Sequence, residues 1–316
     1  MWHSSLNDHR GWARPGRRAR GAASLAGLTL VLALAACSGD GRPSMAPGPA
    51  TSPADTALLA ERAAAALETG RADQARDLYR NLLQRDPGDA AAAAGLAEAE
   101  RLRGENDAAL RHATMAFENA DAPAVLRARA LTTAGAVLLV RGESGAAEGR
   151  LRYAVELDPA SWRAWNALGQ ALDQRRAWPE AATAYRKALD IAPDEPAVLN
   201  NFGVSRLGAG DHADAAELFA RARRAAPDLA MVDTNLRLAL ALQGDYAAAL
   251  AGSDIAQTAQ TLNNVGYGAL LRGDYPTART LFLQAIDASP SFFEPAWHNL
   301  RYLDTLESRV AEVPGS

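Results

Sequence analysis

Few side chains on this chain are equipped for covalent or metal chemistry, and their placement narrows what they could do. The five histidines (His3, His9, His112, His212 and His298) are scattered, and none stands in an HExxH or other spacing that would bring two imidazoles onto one metal. No GxSxG turn and no glycine-rich phosphate loop is present. A catalytic role, for instance as a hydrolase subunit, has little to stand on, and no cofactor or metal is implied. The single cysteine, Cys37, has no partner for a disulfide, so its chemistry is that of a lone thiol. The remaining candidates are side chains that hydrogen-bond: Asn166, Gln170, Asn200, Asn201, Asn235, Asn263, Asn264 and, beside them, Tyr267. A carboxamide offers two donors and an acceptor, so a row of them can pair with the N–H and C=O groups of an extended peptide regardless of its side chains.

What could position Cys37 is the segment before it. Arg10, Arg14, Arg17, Arg18 and Arg20 precede an uncharged run from Gly21 to Ala36, reading GAASLAGLTLVLALAA. Sixteen helical residues span roughly 24 Å, short of a hydrocarbon core of about 30 Å, so residues 1–36 read as a signal peptide rather than a permanent span. The ending Leu34-Ala35-Ala36-Cys37 resembles the bacterial lipobox. That resemblance implies a diacylglyceryl group on the Cys37 thiol, cleavage that makes Cys37 the first residue, and an acyl anchor of two or three chains, which holds a protein stably at a bilayer. Ser38 follows where Asp would signal retention, which by the sorting rule of diderm bacteria implies the outer membrane, facing the periplasm. The Arg17-Arg18 pair lacks the rest of a twin-arginine signal. Residues 37–54, rich in Pro, Gly and Ser, form a disordered linker in this reading, with a typical reach of roughly 20 to 25 Å.

What could position the amides is a helical framework. Hydrophobic residues make up 48% of the chain and aromatics only 6%, so the apolar content is largely Ala and Leu, both strong helix formers. A net charge of −4 and a pI near 5.8 argue against a nucleic-acid surface. From Thr56 onward the sequence repeats at or near thirty-four residues. Counting Trp162 as position 1, Trp165, Leu168, Gly169, Leu172, Ala181, Tyr185, Ala188 and Pro193 fall at positions 4, 7, 8, 11, 20, 24, 27 and 32. Copies begin near Thr56, Ala90, Ala128, Pro196, Ala230 and Ala259, and the last of them carries Pro290 at position 32. Small residues at 8, 20 and 27 let two helices approach, large ones at 4, 7, 11 and 24 fill the gaps, Gly at 15 ends the first helix, and Pro at 32 ends the second.

This pattern resembles the tetratricopeptide repeat. The resemblance implies an all-α, right-handed superhelical solenoid of about seven hairpins over residues 55–292, a capping helix over 293–308 and a disordered tail over 309–316. It also implies that positions 2, 5, 6, 9, 12 and 13 of each first helix line a concave groove without taking part in interhelix packing. Asn166, Gln170, Asn200, Asn201, Asn235, Asn263, Asn264 and Tyr267 stand at those positions, and Trp297, His298 and Arg301 would close one end. The copy from Ala230 departs from the pattern: Arg237 replaces the small residue at position 8 and the copy is short, which predicts a short or bent second helix between Ala247 and Ile255.

The carboxy-terminal half resembles the lipoproteins of the tight adherence (Tad/Flp) pilus system, the TadD family, through VLNNFG at Val198 to Gly203, TNLRLALALQGDY at Thr234 to Tyr246 and TLNNVGYGALLRGDY at Thr261 to Tyr275. That resemblance implies a pilotin-like role, with an outer-membrane secretin or another pilus component as protein partner. An adaptor for peptidoglycan enzymes or polysaccharide export would use the same architecture.

Overall fold

The computed structural model describes residues 53–252, 258–289 and 293–312. Among them every regular element is an α-helix, and the helices pair in chain order. The pairs are α1 (Pro53–Glu68) with α2 (Ala72–Arg85), α3 (Ala90–Leu102) with α4 (Asn106–Glu118), α5 (Ala124–Val140) with α6 (Ser144–Leu157), and α7 (Trp162–Gln174) with α8 (Trp178–Ile191). They continue with α9 (Pro196–Ala209) and α10 (His212–Ala225), α11 (Ala230–Gln243) and α12 (Tyr246–Leu250), and α13 (Thr258–Arg272) and α14 (Tyr275–Asp287). The helix α15 (Glu294–Glu312) closes the row. The signal segment, Cys37, the linker up to residue 52, Pro290 and residues 313–316 lie outside the described residues.

Two boundaries differ from expectation. α1 begins at Pro53, inside the segment read as linker, because proline is well suited to a helical first turn where no amide donor is needed. α15 runs on to Glu312, beyond Ser308, so the last helix includes residues assigned to a tail.

Each hairpin is closed by the same turn. Gly70, Gly104, Gly142, Gly210, Gly244 and Gly273 all take positive φ, and the residue after each donates its amide back to the carbonyl five residues earlier, as in Asp211 to Arg206 at 2.9 Å and Glu105 to Glu100 at 2.9 Å. This left-handed closure satisfies carbonyls that the helix end would otherwise orphan. In the fourth hairpin Arg176 occupies the equivalent site with φ of 58°, and Ala177 donates to Leu172 at 2.9 Å, so the turn forms without its glycine.

Within a hairpin the close approach is set by position 8 against position 24. A Cβ placed on Gly203 would come within 2.6 Å of the Phe219 ring, and one on Gly169 within 2.6 Å of Tyr185. Both rings are fully buried, each contributing on the order of 2 to 3 kcal/mol of apolar burial. Position 20 is Ala in every hairpin, Ala75 through Ala278, and each has no exposure at all. The sixth hairpin departs as its sequence predicts: α12 spans five residues. Arg237 lies across its end, donating Nη1 to the Ala249 carbonyl at 2.7 Å and Nε to Asp233 at 2.6 Å. Ile255 and its neighbours 253–257 lie outside the described residues.

The odd-numbered helices touch one another in sequence, α1 to α3 and onward to α15, whereas among the described residues no two even-numbered helices touch. A row whose members meet is the tighter, inner row of a curved stack, so the odd helices form the concave wall and the even helices the outer layer.

Candidate functional site

The inner wall is built from one face of each odd-numbered helix. Positions 5 and 6 carry the carboxamides, and the structure pairs them between neighbouring hairpins. Asn201 Nδ2 donates to Asn166 Oδ1 at 3.2 Å, Asn235 Nδ2 to Asn200 Oδ1 at 2.9 Å, and Asn299 Nδ2, on α15, to Asn263 Oδ1 at 2.9 Å. In the first two rungs the position 6 amide of one helix donates to the position 5 amide of the helix before it, and in the third Asn299 of α15 takes the donor's part. Asn200 (6% exposed), Asn235 (2%) and Asn263 (5%) are therefore buried between helices, which corrects the expectation that these amides stand clear of interhelix packing. A buried amide needs a partner, and the nearest available one is its counterpart in the adjacent repeat.

Asn166, Gln170, Asn201, Asn264 and Tyr267 are half-buried and line the wall. Asn264 Oδ1 accepts from Gln260 at 2.7 Å, and Tyr267 packs toward α15. At the far end Trp297, His298 and Arg301 are exposed on α15. Between these amides the wall is apolar: Val204, Leu238 and Tyr267 occupy position 9 of α9, α11 and α13, and Tyr302 continues the line on α15.

The amino-terminal half of the wall is charged. Glu98 accepts two hydrogen bonds from Arg101, at 2.7 and 2.8 Å, and one from Thr133 at 3.1 Å. Burial raises its pKa, but these donors and the nearby Arg129 outweigh it and hold the carboxyl below the ordinary range. Asp173 behaves oppositely. It accepts from Ser205 at 2.6 Å and Tyr185 at 2.7 Å, yet it is half-buried among three helices, and this desolvation pushes its pKa up to about 6 against those bonds and the Arg206 charge. Through Asp173 (α7), Tyr185 (α8) and Ser205 (α9) one carboxyl ties three helices together. A further fully buried carboxylate, Glu100, meets His112 Nδ1 at 2.7 Å. Among the described residues no group of three or more His, Cys, Asp or Glu side chains converges as a metal site. Nor is any described helix long and apolar enough to cross a membrane.

Residues 61–123 and 132–196 match the family model of the tetratricopeptide repeat. The fold is a tetratricopeptide-repeat solenoid. One solved structure agrees at the level of fold. The Cut9–Hcn1 assembly of the APC/C aligns with a TM-score of 0.58 at 17% identity over 78% of this chain, which spans about half (48%) of that longer chain. A tetratricopeptide repeat protein from Parabacteroides merdae aligns at 0.49 and 16% identity, covering 79% of this chain and 98% of that one. The pilF protein of Pseudomonas aeruginosa aligns at 0.48 and 19% identity, covering 79% of this chain and 97% of that one. No curated protein sequence matches the chain.

Two features of this tetratricopeptide array were not read from its sequence. Position 14 at the end of several odd helices reaches back to the preceding hairpin: Arg103 pairs with Asp73, Arg141 with Asp107 and Arg175 with Glu148. Gln243 donates to the His212 carbonyl at 3.1 Å and Arg272 to that of Leu242 at 3.1 Å in the same manner. The recurrence of Arg at that register was the available signal. Gly95, at position 6 of α3, is the second: a Cβ there would lie 2.2 Å from Tyr79, so the ring of the first hairpin seats on the second.

Proposed function

We propose that this chain is a membrane-anchored scaffold that holds a protein partner along its inner wall and supports assembly of an outer-membrane pilus secretin. The observation that carries the reading is the wall itself, a continuous surface of half-buried amide and apolar side chains on α7, α9, α11, α13 and α15. Such a surface suits the backbone and uncharged side chains of an extended segment. The anchor rests on Cys37 after its apolar run, the destination on Ser38, and the pilus role on the resemblance of Pro196 to Leu306 to the TadD lipoproteins.

Three experiments test this. In the anchor test, wild-type chain takes up labelled palmitate and fractionates with outer membranes, and Cys37→Ser loses both; an unchanged distribution defeats the anchor. In the second, a tagged soluble form beginning at residue 38 is mixed with purified secretin from the same operon. Asn201→Ala with Asn264→Ala, the two half-exposed amides that can be removed without opening the buried Asn200–Asn235 rung, weakens capture several-fold. Full retention defeats the wall as the binding surface, and normal secretin multimers in a deletion strain defeat the pilus role.

A further inference from the structure

The inner wall changes character along its length. On α9, α11 and α13, positions 2, 5, 6, 9, 12 and 13 carry no Asp, Glu, Lys or Arg; on α11, for instance, they are Met231, Thr234, Asn235, Leu238, Ala241 and Leu242. Several of the apolar members are open to solvent, Met231 at 46% and Leu271 at 45%. On α3, α5 and α7 the same positions carry Glu98, Arg101, Arg129, Arg163 and Asp173.

Those five charges do not cancel evenly. Glu98 is taken up by Arg101 and Thr133, and Asp173 by two hydroxyls. Arg129 and Arg163, both at position 2 and both exposed, have no carboxylate within salt-bridge distance among the described residues. Arg163 lies over the Trp162 ring at 4.4 Å, and Arg129 is near the Tyr79 hydroxyl. The wall thus pairs an uncharged half with a half that exposes two guanidiniums, Arg129 beside Tyr79 and within electrostatic reach of Glu98, and Arg163 over Trp162.

We propose that this wall recognises a protein segment whose uncharged apolar block lies over α9, α11 and α13 and whose acidic end lies over Arg129 and Arg163. The neutral half selects by exclusion, since a charged side chain docked there is desolvated with no counter-charge. The cationic half selects by attraction, a guanidinium being well matched to a carboxylate. From α5 to α13 there are four helix-to-helix steps of about 9 Å, so an extended segment needs roughly a dozen residues to reach both halves. This inference rests on the inner wall being the binding surface and adds the chemistry and direction of what it binds.

The test uses a displayed library of random dodecapeptides panned on the soluble chain from residue 38. A fluorescein-labelled peptide from the enriched pool is then titrated by anisotropy. Enriched peptides carry Asp or Glu at one end and an uncharged block free of Lys, Arg, Asp and Glu at the other. Arg129→Glu with Arg163→Glu weakens binding at least tenfold, and so does Met231→Asp with Leu271→Asp; all four positions are exposed, and circular dichroism checks that the helices remain. An enriched pool without that division, or no enrichment, overturns the proposal. If the Asp pair abolishes binding and the Arg reversal leaves it within twofold, the direction is wrong while the wall stands as the binding surface. If neither pair alters binding, both readings fall.

Discussion

Replacing Asp173 with Asn isolates the cost of burying a carboxyl between three helices. Its pKa stands at about 6 against an ordinary 3.8, and at about 1.4 kcal/mol per unit the shift corresponds to roughly 3 kcal/mol. The sign follows from linkage. Between those two pKa values the folded chain binds more protons than the unfolded one, so this group's contribution falls as pH rises through that window and is fully unfavourable above it. Asp173→Asn carries no charge to desolvate, and the Tyr185 and Ser205 hydroxyls can rotate to meet the amide, so the variant is more stable than wild type at pH 7.5 by up to about 3 kcal/mol. The gain shrinks to about 1 kcal/mol at pH 4.5, where the wild-type carboxyl is already protonated in the fold. Urea melts followed at 222 nm, at half-unit pH steps for both proteins, give the difference curve directly. A difference that does not vary with pH, or a variant less stable than wild type at pH 7.5, refutes the assignment of Asp173 as a desolvated, reluctantly ionised group.

Other substitutions probe the packing. Arg176→Gly, at the one hairpin turn where a non-glycine residue takes positive φ, raises the melting temperature, with a gain of about 1 to 2 kcal/mol in chemical denaturation. Gly203→Ala drives a methyl into the buried Phe219 ring and costs about 1 to 3 kcal/mol by the same measurement. Asn235→Leu strands the Asn200 carboxamide and costs about 1 to 3 kcal/mol, whereas the double change Asn200→Leu with Asn235→Leu recovers part of the loss; a double-mutant cycle reads the coupling.

The hairpins were legible in the sequence because their constraints are local and rigid. A left-handed turn asks for glycine at one register and a close crossing asks for a small residue at another, so both recur in phase wherever the geometry does. Arg176 shows the limit of that logic: the flanking helices impose the turn even where the residue resists it. The carboxamides were legible as residues of the wall but not as pairs. Whether Asn200 or Asn201 turns into the interhelix seam depends on how one hairpin is rotated against the next, a quantity no single repeat encodes. The back-reaching arginines at position 14 escaped notice for a related reason, since a long flexible side chain can satisfy its charge locally or a repeat away. Arg237 was recognised as a departure, while the carbonyl it holds became identifiable only with α12 in place.

The contrast between the two helix rows bears on how the molecule yields to a guest. Because the odd helices meet along a common seam and the even helices meet only their own partners and the next seam member, the array resembles a bound book, joined at the spine and free at the page edges. Spreading or closing those edges changes the curvature through small rotations shared among the many contacts that each even helix makes with the next odd helix. A scaffold of this kind can fit its grip to guests of unequal girth while each repeat keeps its own interior intact.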